Sequence, residues 1–367
     1  MLSSHQTGAF LTIDLNAIRA NWNILTDRLG AVACGAAVKA DAYGLGAQQV
    51  ASALAIAGCR HFFVAFVHEA LALKPHLPAD SILYILHGCT PGTEKEILAN
   101  GFVPVLVNLE QIDAWAALAR AEGKRLPAIL QIDTGMARLG LSEDEMATLA
   151  ANLHRLDGIE LRYIMSHLAC AEHANSQFNK QQLARFCEIR KVFPGIPASL
   201  ANSSGIFLGS DYHFDLARPG AALYGITPVV GTPNPMRQVV RLQGKVIQVR
   251  TISAGTGVGY GGTWRAPSTK RIATVAVGYA DGYLRNLSNT AVAYFGDISL
   301  RLVGTVSMDT ITLDVSALPE GALQPDSLID LINERHPVDA LAQEAGTIGY
   351  EILTSLGARY HRRYIGA

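Results

Sequence analysis

Residues 31–66, AVACGAAVKADAYGLGAQQVASALAIAGCRHFFVAF, decide the fold. An apolar run (31–40) closes around Lys39, and a turn of small residues follows. Apolar residues then recur at helical spacing in GAQQVASALAIAG (46–58), and a second apolar run, HFFVAF (61–66), comes next. This reads as one strand–helix–strand unit. Moving outward, the alternation continues through SILYILHG (81–88), FVPVLV (102–107), PAILQID (127–133), LRYIMSHL (161–168), ASLANS (198–203) and HFDLARPG (213–220). Helix-like segments such as EQIDAWAALARAEG (110–123) separate these runs. Eight such units in about 200 residues predict an α/β fold of the (β/α)8 TIM-type barrel kind rather than an open sheet.

Beyond GTPNPM (231–236) the pattern changes. RLQGKVIQVRTIS (241–253), RIATVAVGYA (271–280), TAVAYFG (290–296), ISLRLVGTVSMD (298–309) and TITLDVS (310–316) are strand-length runs broken by Gly, Asn and Asp. They predict a separate, mainly β domain, dividing the chain into 1–235 and 236–367. AFLTIDL (9–15) is a strand-length run ahead of the barrel that fits as a partner for the distant sheet. The 367 residues are 49% hydrophobic and 17% charged, with a net charge of -1, a globular composition that favours neither nucleic acid nor an anionic membrane as partner. No run of about 18 apolar residues is present to span a bilayer. MLSSHQTGAF (1–10) lacks the basic start and apolar stretch of a secretory signal. Five cysteines without a C-x-x-C argue against a disulfide framework or a metal site. They are expected as reduced thiols in a cytoplasmic protein.

A barrel concentrates its chemistry where strands end, on the C-terminal face. Lys39, Asp133, His167, Ser203 and Arg218 all fall at such ends. A lysine desolvated there loses proton affinity and forms a Schiff base with an aldehyde; alone, Lys39 reads first as a lysine snorkelling from a strand end. ANSSG (201–205) and ARPGAALYG (217–225) leave backbone N–H groups free after the last two strands, where barrels bind phosphate; taken alone they read equally as loop punctuation. Arg218 would keep a facing ring nitrogen unprotonated, or else serve a structural ion pair. His167 alone reads as structural. Arg138, in DTGMARLG (133–140), suits a carboxylate, or is a surface arginine. Tyr260, among the glycines of GVGYGGTW (257–264), is a general base if a cation lies near it, or a packing residue otherwise.

Taken together these segments resemble the alanine racemase family. VKADAYGLG (38–46), DTGMARLG, SHLAC (166–170), ANSSG, RPGAALYG (218–225), GVGYGGTW, VGYADGYLR (277–285), GTVSMD (304–309) and YEILTSLGAR (350–359) match family segments in order, covering about residues 10–363. The resemblance implies interconversion of L- and D-alanine by two-base proton transfer with pyridoxal 5'-phosphate (PLP). Lys39 would carry the cofactor and act as the D-side base, and Tyr260 as the L-side base. Tyr43, Ser203 and the amides of Gly220 and Ala221 would hold the phosphate. Arg218 would contact the pyridine nitrogen, with His167 supporting it and Tyr260. Arg138 and the Met308 N–H would bind the substrate carboxylate, and Glu172, Tyr279 and Arg285 would line the substrate corridor. Tyr260 and Met308 would come from a second copy, in a homodimer with shared active sites.

The sequence departs from the family at four places. Gln131 stands where many members have a carbamylated lysine bound to the arginine matching Arg138; chloride, another small anion or the Gln131 amide itself is expected to steady Arg138 instead. Ser307 replaces a cysteine found in some relatives, Ala358 a phosphate-touching tyrosine, and Thr305 a corridor arginine. Serine or other small amino acids remain alternative substrates, and supply of D-alanine for peptidoglycan and alanine catabolism are both open. Three rivals are weaker. A PLP-dependent decarboxylase would carry an acid where Arg218 stands. A PLP-binding homeostasis protein would lack the second domain. A cofactor-free aldolase would lack the cofactor's absorbance.

Overall fold

The computed structural model of the protein describes residues 6–366; residues 1–5, at the head of the segment read for a leader, lie outside them. The chain folds as two compact units. Of the described residues, one unit holds 18–223 and 227–236, and the other holds 6–17, 224–226 and 237–366.

The first unit is the eight-stranded parallel barrel. Its strands are Ala33–Cys34 continuing into Ala36–Ala37, then His61–Val64, Ile82–Ile85, Val103–Leu106, Leu126–Gln131, Ile159–Met165, Ala198–Ser199 and Leu216–Ala217. Neighbours pair in parallel in chain order. An Asn202–Arg218 bridge joins the last two, and Leu216 and Ala217 return to Ala33 and Cys34, so the ring closes. Alternate residues point inward and pack against one another: Ala37, Phe63, Tyr84, Val105, Ile129, Met165 and Leu216 fill the interior. The barrel is therefore a core and not a pore, which leaves strand ends and loops for chemistry. The helices stop and start where local chemistry demands. Gly58 ends Ala47–Ala57 with φ 114°, and Ser142 with Glu145 forms a reciprocal cap that starts Glu143–Ala151.

One segment departs from the ordinary turn expected after the first strand. Ala40, Asp41, Ala42 and Tyr43 are all left-handed, with φ of 53°, 54°, 53° and 57°. For L-residues with a Cβ this hand costs roughly 1–2 kcal/mol per residue, so such a run persists only where its surroundings hold it.

In the second unit the strands Val240–Ile252, Lys270–Val275, Ile311–Asp314, Ile298–Leu302, Val292–Phe295 and Leu328–Ile332 form a closed antiparallel ring. The 13-residue strand Val240–Ile252 makes closure possible: it pairs with Leu328–Ile332 through its first half and, past an irregularity between Val246 and Gln248, with Lys270–Val275 through its second. Ala9–Asp14 pairs antiparallel with Val240–Ile252 on one side and parallel with His361–Ile365 on the other. The strands Leu328–Ile332 and His361–Ile365, and the helices Val338–Ala345 and Gly349–Ser355, had no counterpart among the runs read from the sequence. Among the described residues no helix is long and apolar enough to cross a membrane. All five cysteines are free, and burial pushes the thiols of Cys34, Cys59 and Cys89 up to about 12.

Candidate active site

The C-terminal rim of the barrel gathers the polar groups expected there. Lys39 leaves the end of the first strand, half-buried. Burial holds its amine below the ordinary lysine range, the nearby Arg138 charge adds to this, and Glu69 opposes it. The left-handed turn after Lys39 is tied at several points. Ala42 N–H donates to the Val38 carbonyl at 2.9 Å and Gly46 N–H to the Asp41 carbonyl at 2.9 Å. The Asp41 carboxylate accepts Ala47 N–H at 2.7 Å, and the Glu69 carboxylate accepts Ala40 N–H at 2.6 Å.

Arg218 follows the eighth strand and is buried. Its guanidinium donates to the Ser199 hydroxyl, to the Ser166 carbonyl at 2.7 Å and to His167 Nδ1 at 3.4 Å. No carboxylate pairs with it, and its Nε–H has no acceptor among the described residues. Burial pulls the guanidinium down to about 9, which leaves it charged at neutral pH. Burial and the charges of Arg218, Arg138 and Lys39 take His167 down to about 3. A neutral His167 whose Nδ1 faces a pure donor carries its proton on Nε2. The loop beneath is fastened by buried Gln182 of the helix Gln177–Arg190, which donates to the His167 carbonyl at 3.0 Å and accepts Ala169 N–H at 2.9 Å.

Ser203 and the turn after Arg218 form a small cradle. Ser203 Oγ accepts N–H bonds from Gly220 at 2.9 Å and Ala222 at 3.2 Å. Both lone pairs are thus engaged, and the hydroxyl proton is left to donate outward. Gly220 allows a close approach: a Cβ there would stand 2.4 Å from the Tyr43 hydroxyl, so a side chain would push the tyrosine aside. The Gly220 amide, expected on the cofactor phosphate, donates here to Ser203 Oγ, while the Ala221 amide finds no acceptor among the described residues.

Arg138 projects from a loop that Asp133 organises by accepting N–H bonds from Gly135 and Ala137 at 2.8 and 2.9 Å. It is exposed, with no ion-pair partner among the described residues. Of the two supports expected for Arg138, the Gln131 amide makes no hydrogen bond to it among the described residues. Gln131 is buried and its amide donates instead to the Leu139 carbonyl at 3.1 Å, because the strand end aims it at its own loop's backbone. Gln131 thus shapes the loop that carries Arg138 without touching the charge. Glu172 is half-buried in the barrel unit, and its carbonyl accepts Val230 N–H.

The remaining expected residues belong to the other unit. Tyr260 sits between Gly259, Gly261 and Gly262, whose φ values are all positive, and is 74% exposed. Met308 and Tyr279 are 53% and 42% exposed. Tyr279 and Ala280 N–H groups donate to the Ser307 and Met308 carbonyls, both at 3.0 Å. Gly278 permits this approach, since a Cβ there would lie 2.3 Å from the Met308 oxygen. The Met308 N–H itself finds no acceptor among the described residues. Arg359 forks onto buried Asp281 at 2.7 and 2.9 Å and reaches Asp309 at 2.8 Å, fastening the two turns. Arg285 is exposed and lines a cavity of about 260 Å³ with Asn286, Thr347 and Glu351. Thr305, expected to alter corridor charge, is buried, and its hydroxyl donates to the Tyr260 carbonyl at 3.0 Å.

Sequence reasoning missed Glu69, Ser199, Gln182 and Arg359. Glu69 left one trace: an acid at the third position of a helix just after a strand, as in VHEA (67–70). The other three act through contacts between distant segments, which no local pattern records.

Profiles of the alanine racemase N-terminal and C-terminal domains match residues 13–228 and 239–364. A catabolic alanine racemase of Mesorhizobium japonicum is 49% identical, the match covering 100% of this chain and 95% of that protein. An alanine racemase of Brucella abortus is 50% identical over 98% of this chain and 94% of its own length. The crystal structure of alanine racemase from Bartonella henselae with covalently bound pyridoxal phosphate superposes with a TM-score of 0.94 at 42% identity, covering 98% of this chain and 99% of that one.

Proposed function

The chain belongs to the alanine racemase family, and from that premise we propose that Lys39 and Tyr260 move the Cα proton of alanine on opposite faces. The enzyme is a PLP-dependent isomerase that interconverts L- and D-alanine. The residues present fit the cofactor. Lys39 supplies a neutral-prone amine for its aldehyde. Ser203, Tyr43 and the Ala221 amide suit its phosphate, in a cradle that a side chain at Gly220 would fill. Held by these residues, PLP would supply an electron sink for the pair left when Cα loses its proton. The observation that carries the racemase reading over a decarboxylase is Arg218: a buried cation with no carboxylate and a spare Nε–H suits an unprotonated ring nitrogen. A weakened electron sink favours prompt reprotonation over other fates of the carbanion.

Arg138 and the unpaired Met308 N–H would take the substrate carboxylate, with chloride or another small anion beside Arg138. Glu172, Tyr279 and Arg285 would line the way in. Exposure of Tyr260, Met308 and Tyr279 supports a homodimer in which each copy lends these residues to the other's site. A cytoplasmic location suits the reduced thiols. Supply of D-alanine and catabolism of alanine both use this reaction. Chiral product analysis over a panel of L-amino acids with added PLP tests the reading: D-alanine should form fastest and without carbon dioxide release. Carbon dioxide as the main product, or full activity in a diluted monomer, would refute it.

A further inference from the structure

Lys39 has to leave the barrel wall in one direction, yet the chain just after it adopts a conformation that L-residues avoid. Bonds within the segment, from Ala42 to Val38, from Gly46 to Asp41 and from Ala47 to the Asp41 side chain, close the turn on itself. They do not set its direction. Before Lys39, Val38 N–H donates to the Phe63 carbonyl at 2.9 Å as part of the barrel ladder; after it, the bond that fastens Ala40 to another element comes from Glu69, in the helix Val67–Leu73 that follows the second strand. One carboxylate oxygen accepts Ala40 N–H at 2.6 Å; the other accepts Ala65 N–H at 2.7 Å and Phe66 N–H at 3.0 Å. One side chain thereby joins three backbone amides from the ends of two adjacent strands. An ionised carboxylate can do this because it accepts at every lone pair; an amide would aim its NH2 at one of those N–H groups.

We propose that Glu69 is the positioning residue of Lys39: its carboxylate locks the left-handed turn to the end of the second barrel strand and so fixes where the lysine amine sits. The inference rests on the reading of Lys39 as cofactor anchor and base. It also carries an electrostatic consequence. On its own turn the ionisable side chains near Lys39 are Asp41, whose carboxylate accepts Ala47 N–H, and Tyr43. From surrounding elements Glu69, His87, Arg138 and His167 share its field, and there Glu69 raises proton affinity where Arg138 lowers it. The same group therefore sets both the direction of Lys39 and the balance of charge around it.

The test uses the PLP-loaded enzyme and the variants Glu69→Gln and Glu69→Asp, with turnover, thermal melting and the pH titration of the visible band of lysine-bound cofactor. Glu69→Gln should melt cooperatively, lose about tenfold in kcat with little change in KM, and shift the band's titration downward by about one pH unit. Glu69→Asp keeps the charge but is one methylene short of Ala40. It should lose turnover while titrating like the wild type, and it carries the test if the glutamine variant fails to fold. Wild-type turnover in both variants overturns the proposal. So does a turnover loss that follows the unfolded fraction alone, with the band's titration unchanged. A wild-type enzyme without any borohydride-sensitive visible band would refute the reading of Lys39 itself.

Discussion

Lys39 and Tyr260 are built into opposite surroundings. The lysine stands among buried groups that hold one another: Arg218 against Ser199, Ser166 and His167, Ser203 against two backbone amides, and Gln182 against the loop below. Tyr260 is 74% exposed, flanked by glycines, and held through its own carbonyl rather than its ring. The barrel rim is a finished receptor for a cofactor. The proposed reaction assigns one proton-transfer group to each face of a planar carbanion, and the two groups belong to different compact units of the chain.

The contrast can be broken most severely at the lysine. Lys39→Ala should reduce racemisation on the order of 10⁴-fold or more and remove the visible absorbance of the purified enzyme. Tyr260→Phe should lower turnover by about 10²–10⁴-fold while leaving that absorbance intact, because the tyrosine takes no part in holding the cofactor. Mixing the two variants sharpens the point. Hybrid dimers of Lys39→Ala and Tyr260→Phe chains contain one intact pair of bases if sites are shared, so activity should recover to roughly a quarter of wild type. No recovery on mixing would place both bases in one chain.

Smaller effects separate the two supports. Thr305→Val removes the hydroxyl that pins the Tyr260 carbonyl, and should cost about three- to tenfold in kcat with an unchanged cofactor spectrum. The smallest effect expected is on stability. His167 has its folded-state pKa depressed from 6.5 to about 3. Between those values the unfolded chain binds a proton that the folded chain refuses, so stability present above pH 6.5 is lost as pH falls toward 3. The melting temperature should drop by a few degrees between pH 6.5 and 4.5, and His167→Asn should flatten that slope.

Much of this was legible without coordinates, for reasons that differ by region. The barrel strands show themselves because each is a buried apolar run ending in a polar or small residue, so Lys39, Asp133, His167, Ser203 and Arg218 appear as interruptions at strand ends. The glycines around Tyr260 mark a backbone that must turn with positive φ. Other features left no such mark. The closed ring of the second unit depends on Val240–Ile252 pairing along different halves with different strands, and Leu328–Ile332 and His361–Ile365 carry charges that blur their alternation. Gln131 looked like a substitute partner for Arg138 by its place in the chain, but the strand end directs its amide to Leu139.

What the sequence determined by itself was the order of the barrel's strands and helices, the identity of the chemical groups and their confinement to strand ends, since these follow from periodicity and from the cost of burying polar side chains. What only the tertiary structure decided was direction and charge state. Four consecutive left-handed residues after Lys39 have no local signature, because their strain is tolerable only through bonds such as that from Ala40 to Glu69, 29 positions away. Likewise Arg218 could have met an acid. It met Ser199, Ser166 and a neutral His167, and that choice of partners was made by the closing of the barrel.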